Sequence, residues 1–416
     1  MKHKIDRLSN GIQCLFVEDP NSSSFNFNLQ FKVGSRFENL SNAGVAHLIE
    51  HMFFKGTKKR PTPKELAFTI ENLGAQINAW TSHEQTVYYV TSPKEKAFEV
   101  IDFLYEQLFE SLFQENELIK EKNVIAEEIK MSNDSPRSKV FDIFLENLYK
   151  NHQLGWDIAG TLKSLKGLTG RDCKKFINEH YAPENLLIVV AGNFDRKKIK
   201  SYLNKLFGKW KNKVDFKLAP FKEKGIKEMR IETFRKLEQM HIVIGGYFYN
   251  YSNLSKKERW ALSIGKMVMS VGFGSLLSMK FRDELALTYY IYLTTQSFFE
   301  SGYYAVALGV SPDKKDFAVE EVLKFLKDFG NGNFDEKDLE RAKNLLVGNL
   351  ITYFETSSAL ASLYATQLQF EGEIQTPEEI KKQIMEVKIE DIIKVWAPIL
   401  KKEKVIIYTV IKNIKM

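Results

Sequence analysis

The chain has 416 residues, of which 44% are hydrophobic and 27% charged, and it carries a formal net charge of +7 at pH 7. This composition is typical of an ordered globular protein and excludes a disordered or collagen-like chain. The length favours two or three domains, each with a core of its own. The positive charge comes mainly from lysines scattered among glutamates, which indicates a solvated surface rather than a nucleic-acid-binding patch.

Neither a membrane span nor a secretion signal is expected. The longest apolar runs, such as residues 186–191, have the length of a strand and fall short of the roughly 20 residues that cross a bilayer. Residues 1–7 are basic but no apolar region follows them, and residues 11–17 alternate like a first strand. Cys14 and Cys173 match no CxxC pattern, so we expect free thiols and, by default, a cytoplasmic protein.

The clearest organisational feature is an internal similarity between two segments roughly 220 positions apart. Each segment has a short polar start, a helical stretch and then a strand that ends in a turn. The matching stretches are residues 168–172 with strand 186–190, and residues 387–391 with strand 405–410. The strand pattern at residues 25–31 likewise matches that at residues 240–244. We therefore predict two domains of similar plan, residues 1–224 and 225–416, with the boundary near Gly225 in a polar, Pro- and Gly-containing stretch.

Strands occur in neighbouring runs. Residues 75–80 and 86–91, for example, have the pattern of two strands separated by a short turn. Neighbouring strands favour antiparallel pairing, with the long helical patterns packed against the sheet. We predict an α+β fold with two structurally related domains, each a largely antiparallel sheet with helices packed on one face.

Two histidines frame a glutamate at residues 47–51, which read HLIEH. In an α-helix His47 and His51 project from the same face, and their spacing suits two imidazole ligands of one metal ion. Glu50 lies beside them and can reach a metal-bound water without being a ligand. The competing interpretation is that both histidines are hydrogen-bonded core residues. Apolar neighbours on nearly every side predict that this helix is buried.

A catalytic zinc ion takes three protein ligands, so a third donor must come from another element. The helical pattern at residues 115–131 is the obvious source. On a helical wheel Glu121 and Glu128 fall within an apolar stripe, whereas Glu127 points away from it. The apolar residues of this stripe are Leu118, Val124, Ile125, Ile129 and Met131. A carboxylate buried there needs a cation, which is either zinc or a Lys or Arg of another element, and the wheel does not rank Glu121 against Glu128.

The motif, together with Phe54-Lys55-Gly56-Thr57 after it, resembles the signature of the pitrilysin and insulysin peptidases. These inverted zincins include mitochondrial processing peptidase, and the resemblance covers the whole chain. Their third ligand is a glutamate about 75 to 80 residues beyond the second histidine, which implies Glu128 as the ligand. The resemblance further implies that Glu121, one heptad earlier, is a catalytic-site residue that supports the metal centre.

Residues 74–82 are similar to the edge strand that receives the substrate as an added β-strand in that family. Asn78 and Ala79 are therefore implied as substrate-binding residues. Main-chain recognition of this kind tolerates many substrate sequences.

In the second half, Arg282 and Tyr289 look like the family's Arg and Tyr pair. The resemblance implies that Arg282 holds the peptide and that Tyr289 hydrogen-bonds the oxyanion. Ala286 stands where the family usually has Gly, and Tyr290 is an adjacent alternative to Tyr289. Residues 1–224 would thus form the catalytic zinc-binding domain, and the second domain would contribute the Arg and Tyr pair.

The implied activity is that of a zinc metalloendopeptidase acting on short unstructured peptides or presequence-like segments inside a closed chamber. One zinc ion per chain, held by His47, His51 and Glu128, would lower the pKa of its bound water. Glu50 would act as the general base and pass the proton to the leaving amine.

The family encloses its substrate in a clamshell, and this chain has the length of one half. The resemblance therefore implies a homodimer in which Arg282 and Tyr289 of one subunit complete the site of the other, although a heterodimer stays open. A peptide is the expected partner, without nucleic acid or membrane. The alternative function is a non-catalytic structural or peptide-binding subunit of the same architecture.

Overall fold

The computed structural model describes residues 1–214, 217–218, 220–223, 229–235, 239–252, 254–401 and 407–413. The chain forms two compact units. The first comprises Met1–Met131, Trp156–Ala219 and Phe354–Glu373, and the second comprises Ser132–Gly155, Pro220–Tyr353 and Ile374–Met416. Each unit therefore includes one segment from the opposite half of the sequence. The predicted boundary near Gly225, between residues 1–224 and 225–416, lies outside the described residues and stays a prediction.

Eleven strands occur in the described part of the chain. They are β1 Lys2–Arg7, β2 Gln13–Glu18, β3 Ser24–Phe31, β4 Gln76–Thr81, β5 Thr86–Pro93, β6 Leu186–Gly192, β7 Met229–Arg235, β8 Met240–Tyr247, β9 Ile291–Ser297, β10 Gly302–Val310 and β11 Ile407–Asn413. The first unit has a six-stranded sheet in the order β1-β2-β6-β3-β5-β4, and the second has a five-stranded sheet in the order β7-β11-β8-β10-β9.

The helices of the described residues are α1 Val45–Met52, α2 Pro63–Asn72, α3 Ala97–Glu110, α4 Glu115–Asp134, α5 Pro136–Leu148, α6 Leu162–Gly167, α7 Gly170–His180, α8 Arg196–Phe207, α9 Lys256–Ser270, α10 Leu276–Ser278, α11 Lys315–Gly330, α12 Glu336–Tyr353, α13 Ser357–Thr366, α14 Pro377–Glu386 and α15 Ile389–Leu400. Two π-helical segments, Met279–Glu284 and Gln367–Glu371, continue α10 and α13. Short 3₁₀ turns are Ser35–Phe37, Lys94–Lys96, Gln153–Gly155, Pro183–Asn185 and Pro312–Lys314.

The two sheets share one strand plan, which explains the internal similarity of the sequence. In each, a single parallel pair (β2 with β6, and β11 with β7) is followed by antiparallel neighbours only. Strand β6 corresponds to β11, and β3 corresponds to β8. The predicted α+β fold with two related, largely antiparallel domains is confirmed.

A helix also lies on the second face of each sheet, which the sequence patterns did not indicate. Helix α13 contacts β2 and β6 of the first sheet, and α5 contacts β8 and β11 of the second. Alternation along β2 shows why this helix is needed. Phe16 belongs to the main core of the first unit, whereas Leu15 and Val17 face the other way and are buried as well. A sheet with two apolar faces must be covered on both sides.

The two cysteines, Cys14 and Cys173, are free, as predicted, and both are buried. In the described part of the chain, no helix combines the length and the apolar character that crossing a bilayer requires.

Candidate metal centre

Helix α1 presents three polar side chains, those of His47, Glu50 and His51, on one partly open face. Every other residue of the helix is buried. The rings of His47 and His51 are 4.6 Å apart, centroid to centroid, with an interplanar angle of 71°. The two imidazoles therefore lie one turn apart on the same face, as the spacing predicts.

The start of α1 is fixed by Glu38 and Gly44. The Glu38 carboxylate is buried and accepts hydrogen bonds from the backbone N–H groups of Gly44 and Ala46, each at 2.8 Å. Burial raises the pKa of this carboxyl to about 8, and the two N–H donors oppose that rise. Gly44 has a φ of +92°, and an added Cβ there would lie 2.4 Å from the Ala159 carbonyl oxygen. Helix α1 thus begins at Gly44, a position that only glycine fits, and the Glu38 carboxylate caps its first N–H groups.

Helix α4 contributes Glu121, which is buried between His51 and Lys55. One carboxylate oxygen of Glu121 lies 3.2 Å from Nδ1 of His51, and the other lies 2.8 Å from Nζ of Lys55. An ionised carboxylate only accepts hydrogen bonds, so Nδ1 of His51 carries the proton. The lone pair of His51 is therefore on Nε2, the nitrogen that remains for a metal.

Glu128, two turns after Glu121 on α4, faces that nitrogen. Its Oε2 lies 3.9 Å from Nε2 of His51, which is too long for a hydrogen bond. Atoms of His47, His51 and Glu128 that could bind a metal ion all lie within 4.8 Å of one another, the only such group of three among the described residues. We name these three residues the metal-ligand group. Two ligand atoms that share a tetrahedral zinc ion at about 2.0–2.2 Å each are separated by roughly 3.3–3.6 Å.

The helical-wheel expectation for α4 is only partly met. Glu121 is buried with Leu118, Ile125 and Ile129. The side chain of Glu128 is 40% exposed, and Val124 and Met131, expected in the buried stripe, are exposed. The apolar stripe was predicted too wide, because the C-terminal part of α4 is covered on a narrower face than its N-terminal part. Glu127 is exposed and pairs with Lys130.

The donor set fits a zinc ion. Two imidazoles and one carboxylate are a common set of catalytic zinc ligands. Burial, together with the nearby His51, lowers the pKa of His47 to about 4, which keeps this imidazole neutral. The Nδ1 atom of His47 is buried without a hydrogen-bond partner among the described residues, so no other side chain engages this imidazole at that nitrogen. These three residues are therefore suited to bind a zinc ion.

Glu50 is held by Thr81 of strand β4. The Thr81 hydroxyl donates to Oε2 of Glu50 at 2.5 Å. Burial raises the pKa of Glu50, while the Thr81 hydrogen bond and the nearby His51 lower it and Glu128 raises it. A carboxylate with an elevated pKa beside a metal-ligand group is suited to accept and release a proton near neutral pH.

Strand β4 is one of the two edge strands of the first sheet and packs beside α1. Ile77 and Ala79 pack against the main core, and Asn78 is exposed. The side-chain oxygen of Asn78 accepts the backbone N–H of Ala79 at 2.8 Å. A peptide that added to this edge at Ala79 would have to replace that hydrogen bond.

Arg282 and Tyr289 belong to the second compact unit, whereas the metal-ligand group belongs to the first. The Arg282 guanidinium pairs with the adjacent Asp283 at 3.1 Å and lies 5.5 Å from the ring centroid of Phe273. Tyr289 is 87% exposed. Ala286, between them, has a φ of +44°, a left-handed conformation that glycine adopts at lower cost.

The neighbouring Tyr290 is already engaged. Its hydroxyl is hydrogen-bonded to Nδ1 of His241 at 2.7 Å, and the Arg137 guanidinium lies 3.9 Å from its ring centroid. Of the two adjacent tyrosines, Tyr289 is thus the one whose hydroxyl faces solvent.

Three residues of the site were not found from the sequence: Lys55, Thr81 and Glu38. Lys55 follows His51 by four positions, so a helical extension of the motif places it on the same side. Thr81 and Glu38 carry no comparable signal, because each acts across a loop whose path the sequence does not reveal.

The first unit combines two imidazoles on α1 with a carboxylate on α4, a ligand set typical of metal-dependent hydrolases. The profile "Insulinase (Peptidase family M16)" matches residues 13–162, and "Peptidase M16 inactive domain" matches residues 167–346. A chain of Rickettsia felis named an uncharacterized zinc protease is 31% identical over 94% of this chain and 93% of its own length. The protein belongs to the M16 peptidase family.

Two further likenesses extend over nearly the whole chain. The beta subunit of the mitochondrial-processing peptidase of Saccharomyces cerevisiae is 29% identical over 95% of this chain and 87% of its own. The crystal structure of a protease from Helicobacter pylori superposes with a TM-score of 0.89 over 99% of both chains, at 22% identity. The structural likeness supports the fold alone.

Replacing two adjacent glutamates of α4 should have different effects on zinc affinity, because only one of them belongs to the metal-ligand group. Glu128→Gln should reduce zinc affinity about 10- to 1000-fold, because an amide is a weaker ligand than a carboxylate. Glu127→Gln is the matched control and should leave zinc affinity unchanged, since the Glu127 carboxylate is exposed and pairs with Lys130. Zinc content after dialysis against a chelator of known affinity measures both. Equal zinc retention in the two variants would exclude Glu128 as a ligand.

Proposed function

We propose that the protein is a zinc metalloendopeptidase that hydrolyses short, unstructured peptides or presequence-like segments. The observation that carries this proposal is the group formed by His47, His51 and Glu128, with Glu50 beside it on the same helix. Family membership supports the reaction class. The edge strand β4 next to this group supports an extended peptide as the substrate.

His47, His51 and Glu128 are the residues that would hold the zinc ion. Zinc at such a site activates water and polarises a carbonyl oxygen. Glu121 keeps the proton on Nδ1 of His51 and orients the ring. Glu50 accepts the proton of the attacking water at Oε1 or Oε2 and delivers it to the leaving amine nitrogen, while Thr81 restrains the carboxylate.

Arg282 and Tyr289 complete the proposed machinery. Arg282 would hold the peptide backbone, and the exposed hydroxyl of Tyr289 would donate a hydrogen bond to the oxyanion. The likeness to the beta subunit of the mitochondrial-processing peptidase supports an assembly of two chains, and we propose a homodimer in which this pair acts on the metal site of the partner subunit. A second gene product in place of the identical chain is the other form of this proposal. A closed chamber of this kind would select peptides by size and lack of fold.

A non-catalytic role in the same architecture is the second candidate. It is favoured by the description of the profile that matches residues 167–346, "Peptidase M16 inactive domain". The complete set of His47, Glu50, His51 and Glu128 supports catalysis instead, because a structural subunit has no need for a general base beside a metal-ligand group.

Replacing the proposed general base tests the function. Glu50→Gln should lower kcat/KM for a quenched, unstructured peptide by about 10²- to 10⁴-fold, since the amide cannot accept the proton. The variant should retain one zinc ion per chain, and removing zinc with a chelator should abolish wild-type activity reversibly. Wild-type protein that binds zinc and cleaves none of a broad peptide library would favour the non-catalytic subunit. Full activity of Glu50→Gln would refute its role as base.

The Thr81 hydrogen bond predicts a change in pH dependence. A general base is active when ionised, so activity is present above the pKa of Glu50 and is lost as the pH falls through it. The hydroxyl stabilises the ionised form, so Thr81→Val should raise this pKa and move the acid limb of the kcat/KM profile to higher pH, by about 0.5–1 unit. Thr81→Ser retains the hydroxyl and should restore the wild-type profile. An unshifted profile in Thr81→Val would contradict the role assigned to this contact.

The homodimer proposal predicts complementation between two inactive variants. Glu50→Gln and Tyr289→Phe subunits, mixed and allowed to exchange, should form heterodimers with one intact site assembled from both chains. With random exchange, half of the dimers are heterodimers with one of two sites intact, so about a quarter of wild-type activity should return. Without exchange the mixture should stay inactive. No recovery in a demonstrated heterodimer would place Tyr289 in the site of its own chain.

A further inference from the structure

A cleft lies in the first unit, apart from the metal-ligand group. It has a volume of about 540 Å³ and is formed by the end of α3, by α7 and by the segment after α8. We name it the Trp210 cleft. No residue of the metal-ligand group lines it. Its volume is that of sites for small organic molecules, which are typically about 300–1,000 Å³.

The inner walls of the Trp210 cleft are aromatic and held in place. The rings of Phe109 and Trp210 meet edge to face with centroids 5.3 Å apart. The ring of Tyr181 stacks on Phe31 at 4.1 Å, and its hydroxyl is hydrogen-bonded to Tyr88. These contacts fix the apolar surface before any ligand arrives, which reduces the entropy lost on binding.

The segment after α8 is pinned to the rest of the cleft by Asn212. Its side-chain N–H₂ group donates to the backbone oxygens of Asn178 and Tyr181, at 2.9 and 2.6 Å. On the opposite side Phe113 has a φ of +52°, and Gly170 packs so tightly that an added Cβ would lie 2.7 Å from the Phe113 oxygen. The cleft is therefore a formed concavity between constrained segments.

The rim of the cleft is positively charged. Lys58, Lys174 and Lys211 line it, and no Asp or Glu does. None of these three lysines forms an ion pair within the described residues, whereas Lys175, next to Lys174, pairs with Glu179. Uncompensated lysines around a fixed aromatic pocket complement an anion attached to an apolar body.

We propose that the Trp210 cleft binds a small amphipathic anion, a molecule with an aromatic or aliphatic body and a carboxylate, sulfonate or phosphate group. The body lies against Phe109, Ile177 and Trp210. The anionic group lies among Lys58, Lys174 and Lys211. This site is independent of the peptidase function proposed above.

Fluorescence of anilinonaphthalene sulfonate, an aromatic anion, tests the proposal on the full-length protein. The probe should bind saturably at one site per chain, octanoate should displace it, and octanol and inorganic phosphate at the same concentration should not. Lys174→Glu/Lys211→Glu should weaken binding on the order of tenfold or more, because two attractive charges become repulsive. The matched control Lys163→Glu/Lys197→Glu changes the same net charge at exposed lysines outside the cleft and should bind like wild type.

Three results would overturn the proposal: absence of saturable binding, equal weakening by the two double variants, or displacement by octanol as effective as by octanoate. All four replaced lysines are exposed, so the variants should retain the wild-type unfolding temperature. Glu128→Gln should bind the probe like wild type. A failure of the metal-site assignment is therefore distinguishable from a failure of this proposal.

Discussion

The candidate site depends on one buried carboxylate. Glu121 of α4 accepts from Nδ1 of His51 and pairs with Lys55 just beyond the end of α1, so a single side chain joins the two helices that carry the metal-ligand group. Removing this carboxylate would leave the partly buried Lys55 without its counter-charge, which is destabilising. The same contact fixes the tautomer of His51. Helix packing and ligand chemistry are therefore set by one residue.

Most of the fold could be predicted because the same order of helical and strand patterns occurs twice in the sequence. The similarity between residues 168–190 and 387–410 reflects one strand plan, in which β6 and β11 occupy the same place in their sheets. It was not predictable that each sheet is covered by one helix from the other half of the sequence. Helix α5 directly follows α4 in sequence yet packs on the second sheet, and α13 packs on the first. An amphipathic pattern shows that a helix has an apolar face, but not which sheet that face covers.

The candidate site was likewise predictable only in part. The i and i+4 geometry of His47 and His51 is local, so sequence spacing alone placed both rings on one face. The exposed Val124 and Met131 show where the wheel for α4 failed, since a wheel assumes equal coverage along the whole helix. Thr81 contacts Glu50, 31 residues away in sequence, and Glu38 contacts the start of α1, 6 and 8 residues away. Both contacts depend on turns that local sequence patterns do not determine.

Glu121 and Glu128 differ in burial, and this difference suits the two roles proposed for them. Both lie on α4 one heptad apart, but Glu121 is shielded from solvent while the side chain of Glu128 is 40% exposed. A carboxylate that orients an imidazole works best in a dry environment, where its hydrogen bond is strong. A catalytic metal needs an open position that water and substrate can reach, so its carboxylate ligand must lie at the edge of the core. The gradient of burial along α4 thus separates the proposed supporting carboxylate, Glu121, from the proposed ligand, Glu128, although the two side chains have the same chemistry.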